Sequence, residues 1–456
     1  MILCFQNTYL FFDASCLSFD SFICQLYADG NNFSDFPLGG LPESLVRLNF
    51  GFNSYEELPV GGFPSGLEIL NLKFTKKAKY GSTTWKHIYD TVPESVIELY
   101  VDSMGLVGPI TTVDKLSNLA NLYVGDNALN GTLPEALFML PNLQEFGASN
   151  NNLTGIPGDL QNNRLRRLFL NENMLQGEVP LLPHTLQQLD LDLNNMSGEL
   201  PDLAQIPLIE RLILSRNNFH GILNSETFAN NPKLAKLDLS FNNLTGSLHV
   251  SNLEHLQKLS VKSSDLSSSK TFPDFSRNQM LESVDLRNCS LSGSLPDVLC
   301  NLSHLVFVDV SYNNLSSLPA CSFSSDDKNR HLSLVATNNI LETIPASIWN
   351  STDLNLLNLQ HNKLTFTGAM PPPRFFIPKP ALRALILSQN PLNVNMQDFV
   401  DSFSPVALNL ATLQLHDCQL QGNAFCDGGF FPFIVDLDLS NNPQLGGSAL
   451  RTMYND

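Results

Sequence analysis

One pattern constrains this chain more than anything else in it. Leu234, Leu237, Leu239, Asn242, Leu244, Gly246 and Leu248 spell L-x-x-L-x-L-x-x-N-x-L-x-G-x-L. Leu119, Leu122, Val124, Asn127, Leu129, Gly131, Leu133 and Pro134 repeat it. So do Leu165, Leu168, Leu170, Asn173, Leu175, Gly177, Val179 and Pro180, and again Leu186, Leu189, Leu191, Asn194, Met196, Gly198, Leu200 and Pro201. A chain that repeats itself this way builds outward by stacking one unit on the next, not around a single central core.

Each position has a physical job. The alternating Leu-x-Leu is a short strand with one face inward. One coil cannot bury that face alone, so coils stack and their leucines form a continuous core. The Asn stands where the chain turns inward, and its amide can satisfy buried backbone groups of its own and the next coil. Gly and Pro punctuate the turn onto the opposite side. A period of roughly 20 to 29 residues identifies a leucine-rich repeat solenoid. The expected fold is an α/β repeat solenoid: a curved right-handed superhelix with a parallel concave sheet and a convex side of irregular, 3-10 and short helical segments.

The ladder position runs through Asn31, Asn53, Thr75, Met104, Asn127, Asn151, Asn173, Asn194, Asn217, Asn242, Ser264, Cys289, Asn313, Asn339, Asn362, Asn390, Cys418 and Asn442. That predicts about eighteen coils over residues 23–456, with 1–22 a partial or degenerate first repeat. No closing element follows Asn442, so the solenoid reads as truncated at its C-terminal end. Thr75, Met104 and Ser264 interrupt the ladder, and the coils from Asn53 to Met104 are expected to be the least regular. Between Lys73 and Val92 a basic insertion carries Lys76, Lys77, Lys79, Trp85 and Lys86, and reads as a solvated convex loop. Pro371 to Pro380 is a stiff insertion, and Met396 to Phe403 a short convex helix.

Composition narrows the function. Of 456 residues, 43% are hydrophobic and 15% charged, which suits an ordered chain, and the net charge is −18. Such an acidic protein lacks the basic face that phosphate backbones require, so nucleic acid is excluded as a partner. No apolar run reaches the roughly 18 residues of a spanning helix, so membrane attachment would need sequence beyond this chain. The eight cysteines form no C-x-x-C and no zinc spacing. Cys289 and Cys418 occupy ladder positions and read as buried thiols. Cys300 and Cys321 follow Pro296 and Pro319 of adjacent coils and are a candidate pair, with connectivity left open. Cys4, Cys16 and Cys24 could stabilise the first coil in an oxidising compartment. Asn-x-Ser/Thr sequons occur at Asn32, Asn130, Asn152, Asn195, Asn243, Asn288, Asn301, Asn314 and Asn350; Asn301 and Asn350 lie off the repeat position and are the better glycosylation candidates.

No catalytic constellation is present: no H-E-x-x-H, no G-x-S-x-G and no nucleotide-binding glycine pattern. The histidines are scattered; His361 and His416 face outward two coils apart, without carboxylates in their column. The chain is therefore read as non-enzymatic, with no metal and no cofactor. What the fold offers is the residue between the two leucines of each strand, which points outward. That column reads Tyr100, Tyr123, Gly147, Phe169, Asp190, Ile213, Asp238, Ser260, Asp285, Asp309, Val335, Asn358, Ile386 and Gln414. Its acidic stretch matches the repeat consensus. Its aromatic stretch, flanked by Arg166, Arg167, Arg211 and Arg216, has the residue types enriched at binding hot spots. Tyr100, Tyr123, Arg166, Arg167, Phe169 and Arg211 are the candidate ligand-binding residues. The ladder residues Asn127, Asn151, Asn173, Asn194, Asn217, Asn242, Asn313, Asn339 and Asn362 are assigned a structural role.

Leu129, Gly131, Leu133 and Pro134, with Met196, Gly198, Leu200 and Pro201 and Leu291, Gly293, Leu295 and Pro296, resemble the L-x-G-x-[IL]-P segment of plant-type extracellular leucine-rich repeats. That subfamily supplies ectodomains of receptor-like kinases and receptor-like proteins, and the polygalacturonase-inhibiting proteins. The early Leu41, Pro42 and Leu45 and Val92, Pro93 and Val96 punctuation is more similar to surface repeat proteins of protists. The resemblance implies an extracellular or cell-surface scaffold that binds a protein, peptide or glycan through its concave face, or alternatively the ligand-binding fragment of a membrane receptor. The paired-cysteine caps, spanning helix and kinase domain of such receptors are not found in this sequence.

Overall fold

The computed structural model describes residues 2–4 (backbone alone), 23–33, 41–55, 63–74, 83–160, 164–269, 272–325, 330–366, 382–403, 409–423 and 433–446. The chain divides into two compact units, Met1–His220 and Gly221–Asp456. Each is a leucine-rich repeat solenoid built on a parallel sheet. In the first unit the strands Ile2–Cys4, Gln25–Tyr27, Arg47–Asn49, Ile69–Asn71, Glu98–Tyr100, Asn121–Tyr123, Glu145–Gly147, Arg167–Phe169, Gln188–Asp190 and Arg211–Ile213 pair in sequence order. In the second, Lys236–Asp238, Lys258–Ser260, Ser283–Asp285, Phe307–Asp309, Leu332–Val335, Leu354–Asn358, Ala384–Ile386, Thr412–Gln414 and Asp436–Asp438 do the same. Parallel neighbours cannot be joined by a tight hairpin, so the rest of each repeat serves as the crossover.

Register follows from the leucines. Leu99, Leu122, Phe146, Leu168, Leu189 and Leu212 occupy the central strand position and are completely buried, and Leu237 is 1% exposed. A slip of one residue would turn every one of them to solvent. The paired triplet begins one residue before the Leu-x-Leu read from sequence: Asn121–Tyr123, not Leu122–Val124. Val124 still donates its N–H to Gly147 O at 2.7 Å, but the chain turns immediately afterwards. Each strand therefore presents two outward residues, one on either side of its buried centre.

The turn is held by the asparagines. Asn127 Nδ2 donates to Val124 O and Gly125 O, both at 2.9 Å, and to Val101 O of the preceding coil at 3.0 Å. Its Oδ1 accepts from Met104 N and Leu106 N, each at 3.0 Å. Asn151, Asn173, Asn194 and Asn217 make the same cross-coil bonds in the first unit, as do Asn313, Asn339, Asn362, Asn390 and Asn442 in the second. Asn242 donates to Leu239 O at 3.0 Å. The cross-coil partners thus lie in the preceding coil, not the next, because the amide leans back over the strand it follows. The residue before the ladder position is left-handed from coil to coil, as at Asp126 (φ 53°), Asn150 (φ 53°) and Tyr312 (φ 57°). Cys289 and Cys418 keep the donor role, Sγ to Val261 O and to Leu387 O, each at 3.3 Å. Met104 fills its position with buried hydrocarbon. Around it the flanking strands Ile69–Asn71 and Glu98–Tyr100 keep their register, and the coil departs from the rest on its other side, where Trp85–Thr91 is helical. Trp85 is fully buried there and donates Nε1–H to Thr112 O at 2.7 Å.

The segment read as turn punctuation does more than turn. Val107–Gly108, Ala128–Thr132 and Asn152–Gly155 form a second parallel sheet in the first unit, and Gln176–Gly177 and Asn195–Gly198 another, with Asn218 and Phe219 pairing against Ser197 and Gly198. Ser292–Ser294 pairs with Asn314–Ser317 in the second unit. A further strand of this kind in the second unit, Asn243–Gly246, closes on glycine because the backbone there goes left-handed (φ 104°), and a Cβ on Gly246 would meet Leu223 O at 2.3 Å. The remaining span carries the short helices Glu135–Phe138, Ala346–Trp349 and Met396–Phe403 and the 3-10 turns Leu203–Gln205 and Asp297–Asn301. Cys300 and Cys321 are joined in a disulfide that ties adjacent coils, and Cys24 is a free thiol. Thr75, Lys76, Lys77, Lys79, Cys16 and the Pro371 to Pro380 insertion lie outside the described residues.

Two outcomes follow from this packing. Asn313→Ala removes a side chain that bonds Leu286 O, Val310 O and Ser311 O and accepts from Cys289 N and Leu291 N. Each buried group left unsatisfied costs about 1–3 kcal/mol, so a clear loss of Tm is expected, whereas Asn314→Ala at the exposed neighbour should leave Tm nearly unchanged. Burial pushes the Cys289 and Cys418 thiols up to about 12. The reactive thiolate is scarce in the native protein, so mass spectrometry after iodoacetamide at pH 8 should find Cys24 alkylated well ahead of both.

Candidate ligand-binding face

The outward side of the first unit's sheet carries two columns. One holds Asn71, Tyr100, Tyr123, Gly147, Phe169, Asp190 and Ile213; the other Ile69, Glu98, Asn121, Glu145, Arg167, Gln188 and Arg211. Tyr100 and Tyr123 stack with centroids 5.4 Å apart and planes 10° apart. The Tyr123 ring leans across Gly147, where an added Cβ would fall 2.6 Å from Cδ1. Glycine here is a matter of space, since any side chain would displace the ring.

The hydroxyls of this patch and two of its cations are already engaged. Tyr100 donates to Glu98 Oε2 at 2.8 Å and Tyr123 to Glu145 Oε2 at 2.6 Å. Arg167 Nη1 reaches the other oxygen of Glu145 at 2.5 Å, and Arg211 Nη2 lies 2.9 Å from Asp190 Oδ2. Burial, followed by the hydrogen bond to a carboxylate, holds both phenols well above the ordinary tyrosine range. Glu98 and Glu145 belong to the outward column that Leu-x-Leu patterning hides; the residue just before each strand leucine is the signal that finds them. The face is therefore an aromatic stack framed by balanced ion pairs, not a cationic patch.

The structure brings Tyr100, Tyr123 and Arg167 into one network through Glu98 and Glu145. Phe169 stands two strands from Tyr123, roughly 10 Å away at ordinary strand spacing. Arg211 belongs to a separate pair with Asp190. Arg166 precedes its strand; its backbone N–H donates to Gln144 O at 2.7 Å and its side chain is exposed.

The acidic stretch has a structural explanation. Asp190, Asp238, Asp285 and Asp309 each accept the N–H two residues on, at 3.2, 3.0, 3.4 and 3.0 Å, and so fold the chain off the strand. In the second unit Arg287 forks onto Asp285 at 2.9 and 2.7 Å and reaches Asp309 at 3.4 Å, while Lys262 lies 3.5 Å from Asp285. Burial raises the Asp309 carboxyl, opposed by Ser311 and Arg287. His416 does have a carboxylate neighbour: its Nδ1 lies 3.5 Å from Asp438 Oδ2, because the following strand brings that aspartate alongside. No helix among the described residues is long and apolar enough to cross a membrane.

This architecture is that of a leucine-rich repeat protein, and residues 280–302 match the Leucine Rich Repeat family model. Among curated proteins the chain is similar to Receptor like protein 28 of Arabidopsis thaliana, 30% identical over 113 residues, covering 24% of this chain and 14% of that protein. It is similar to Receptor-like protein 35 of the same plant, 30% identical over 193 residues, covering 41% and 20%. Among solved structures it resembles the ectodomain of the Arabidopsis receptor kinase HAESA in complex with an extended IDA peptide hormone, with TM-score 0.59, 20% identity, and coverage of 93% of this chain and 78% of that one. At that identity the likeness is one of fold. The aligned stretch spans a fifth or less of either receptor-like protein's length.

Ordinary tyrosines ionise near pH 10. The Tyr100→Phe/Tyr123→Phe variant should therefore lose tyrosinate absorbance only in the last, most alkaline part of a spectrophotometric titration; an early loss would mean the two hydroxyls are not held by Glu98 and Glu145.

Proposed function

We propose that this chain is a non-enzymatic recognition scaffold that binds a peptide or protein segment on the outward face of the first unit's sheet. The observation that carries this is the Tyr100–Tyr123 stack, locked over Gly147 and tied at both hydroxyls. Large aromatic surfaces held in place lose little entropy when a ligand covers them, and aromatic and Arg residues dominate binding energy. Tyr100, Tyr123 and Phe169 are assigned as contacts, with Arg166, Arg167 and Arg211 as flanking donors. The bound peptide of the HAESA ectodomain supports a peptide as the ligand class.

A second reading is favoured by the receptor-like proteins the chain resembles: that it is the ligand-binding part of a membrane receptor, displayed outside the cell. The Cys300–Cys321 disulfide supports an oxidising, extracellular setting.

The test is selection of a displayed random-peptide library on the immobilised protein, followed by affinity measurement on variants. Tyr123→Ala/Phe169→Ala should weaken the selected peptides at least ~10-fold with Tm nearly unchanged, the size expected of a hot-spot pair. Gly147→Ala should weaken them too, by pushing the Tyr123 ring aside. Lys86→Ala, exposed on the helix Trp85–Thr91, should have no effect. Peptides that bind the aromatic variant as well as the wild type would move the site elsewhere.

A further inference from the structure

The outward face of the second unit's sheet changes character along its length. Its early strands carry Lys236, Asp238, Lys258, Asp285 and Asp309. Its last described strand, Asp436–Asp438, carries an aspartate at either end. Between them, Leu332–Val335, Leu354–Asn358 and Ala384–Ile386 present Ser333, Val335, Leu356, Asn358, Ala384 and Ile386 outward, and none is charged. Thr412–Gln414 adds no charge either, and Phe307 stands beside Ser333 at the opposite border. All of these outward residues are half-buried. The exposed Arg383 lies just before its strand, outside both outward columns. In a chain of net charge −18, four successive strands without an outward charge form a distinct surface. Charged residues are depleted at the buried core of protein interfaces.

One amide stands in the middle of this surface. Asn358 Oδ1 accepts the N–H of Gln360 at 3.1 Å, which fixes the amide. Its Nδ2 donates to no described residue, and its partners on the adjacent strands are the aliphatic Val335 and Ile386. The two borders differ in charge. At one, Arg287 bridges Asp285 and Asp309. At the other, Asp436 accepts from Gln414 Nε2 at 3.2 Å and Asp438 lies 3.5 Å from His416 Nδ1, with no Lys or Arg paired to either among the described residues.

We propose that this surface docks an extended aliphatic segment of a partner protein, uncharged along its length and ending in a Lys or Arg that lies over Asp436 and Asp438. From Phe307 to Thr412 is four strand spacings, roughly 19 Å, which about six extended residues span. Val, Ile or Leu side chains of the segment cover Val335, Leu356 and Ile386, and one of its backbone carbonyls accepts from Asn358 Nδ2. The terminal cation sets the direction. A carboxylate within the aliphatic stretch would lose its water without gaining a partner, so acidic segments are rejected. This site is separate from the Tyr100–Tyr123 face and does not depend on it.

The test removes the first face and selects on the second. A displayed random-peptide library is selected on the full-length Tyr123→Ala/Phe169→Ala protein, and one enriched sequence is synthesised and titrated onto further variants. The enriched peptides should carry an aliphatic stretch free of Asp and Glu that ends in Lys or Arg. Val335→Asp/Ile386→Asp should weaken binding at least ~10-fold with Tm nearly unchanged, as expected at the centre of an interface. Asn358→Asp keeps the acceptor for Gln360 N–H but loses the donor, and should weaken binding as well. Exchanging the peptide's terminal cation for Glu should weaken binding to the selected protein, and much less so once Asp436→Asn/Asp438→Asn are added. Lys258→Ala should change nothing. Acidic enriched peptides, equal binding to the Val335→Asp/Ile386→Asp and Asn358→Asp variants, or a library that yields no binder would each overturn the assignment. Dimerisation of the chain that Val335→Asp/Ile386→Asp abolishes would overturn it too, and give the surface to a second copy. None of these outcomes bears on the Tyr100–Tyr123 face, which the selected protein lacks.

Discussion

Everything in this structure depends on the asparagine amide that joins one turn to the one before it. A solenoid has no central core to hold its coils at a fixed pitch. Leucine packing supplies most of the cohesion, but it is non-directional and would tolerate sliding. The ladder fixes what packing leaves loose. Asn127 reaches three carbonyls and two N–H groups across two coils, which sets the position of the turn as well as its stability. Substitutes keep only part of this. A thiol at Cys289 or Cys418 retains the donor bond to the preceding strand, and Met104 keeps only the buried volume.

That rigidity has consequences for the strand face. Because the ladder holds neighbouring strands in register, outward residues on successive coils line up whether or not they are close in sequence. Tyr100 and Tyr123 become a stack, and Glu145 meets both Tyr123 and Arg167. A ligand that covered this surface would meet groups already fixed in place, which limits the ordering cost of binding. The same register hands the aspartates a different task. They fold the chain off the strand by capping the N–H two residues later, and in the second unit two of them share Arg287.

Sequence and structure agree best where one residue type has one physical use. The buried leucines, the inward Asn and the outward column at Tyr100, Tyr123 and Phe169 are legible because alternation and periodicity leave no other arrangement. The second outward column is not, since Glu98 and Glu145 precede the leucine that anchors the pattern and look like spacer residues. The second sheets are hidden for a related reason. Asn-Leu-Thr-Gly reads as a turn when taken alone, and only the neighbouring coil supplies the partner that makes it a strand.

The sequence by itself determined the repeat, the solenoid class, the buried face of each strand and the acidic net charge. These are properties of a single coil multiplied, so local pattern suffices. Only tertiary structure decided which polar groups meet between coils. It tied both tyrosine hydroxyls to glutamates, neutralised Arg167 and Arg211 with carboxylates, and joined Cys300 to Cys321. Such contacts depend on the offset between one coil and the next, and that offset is a property of the stack, written in no single repeat.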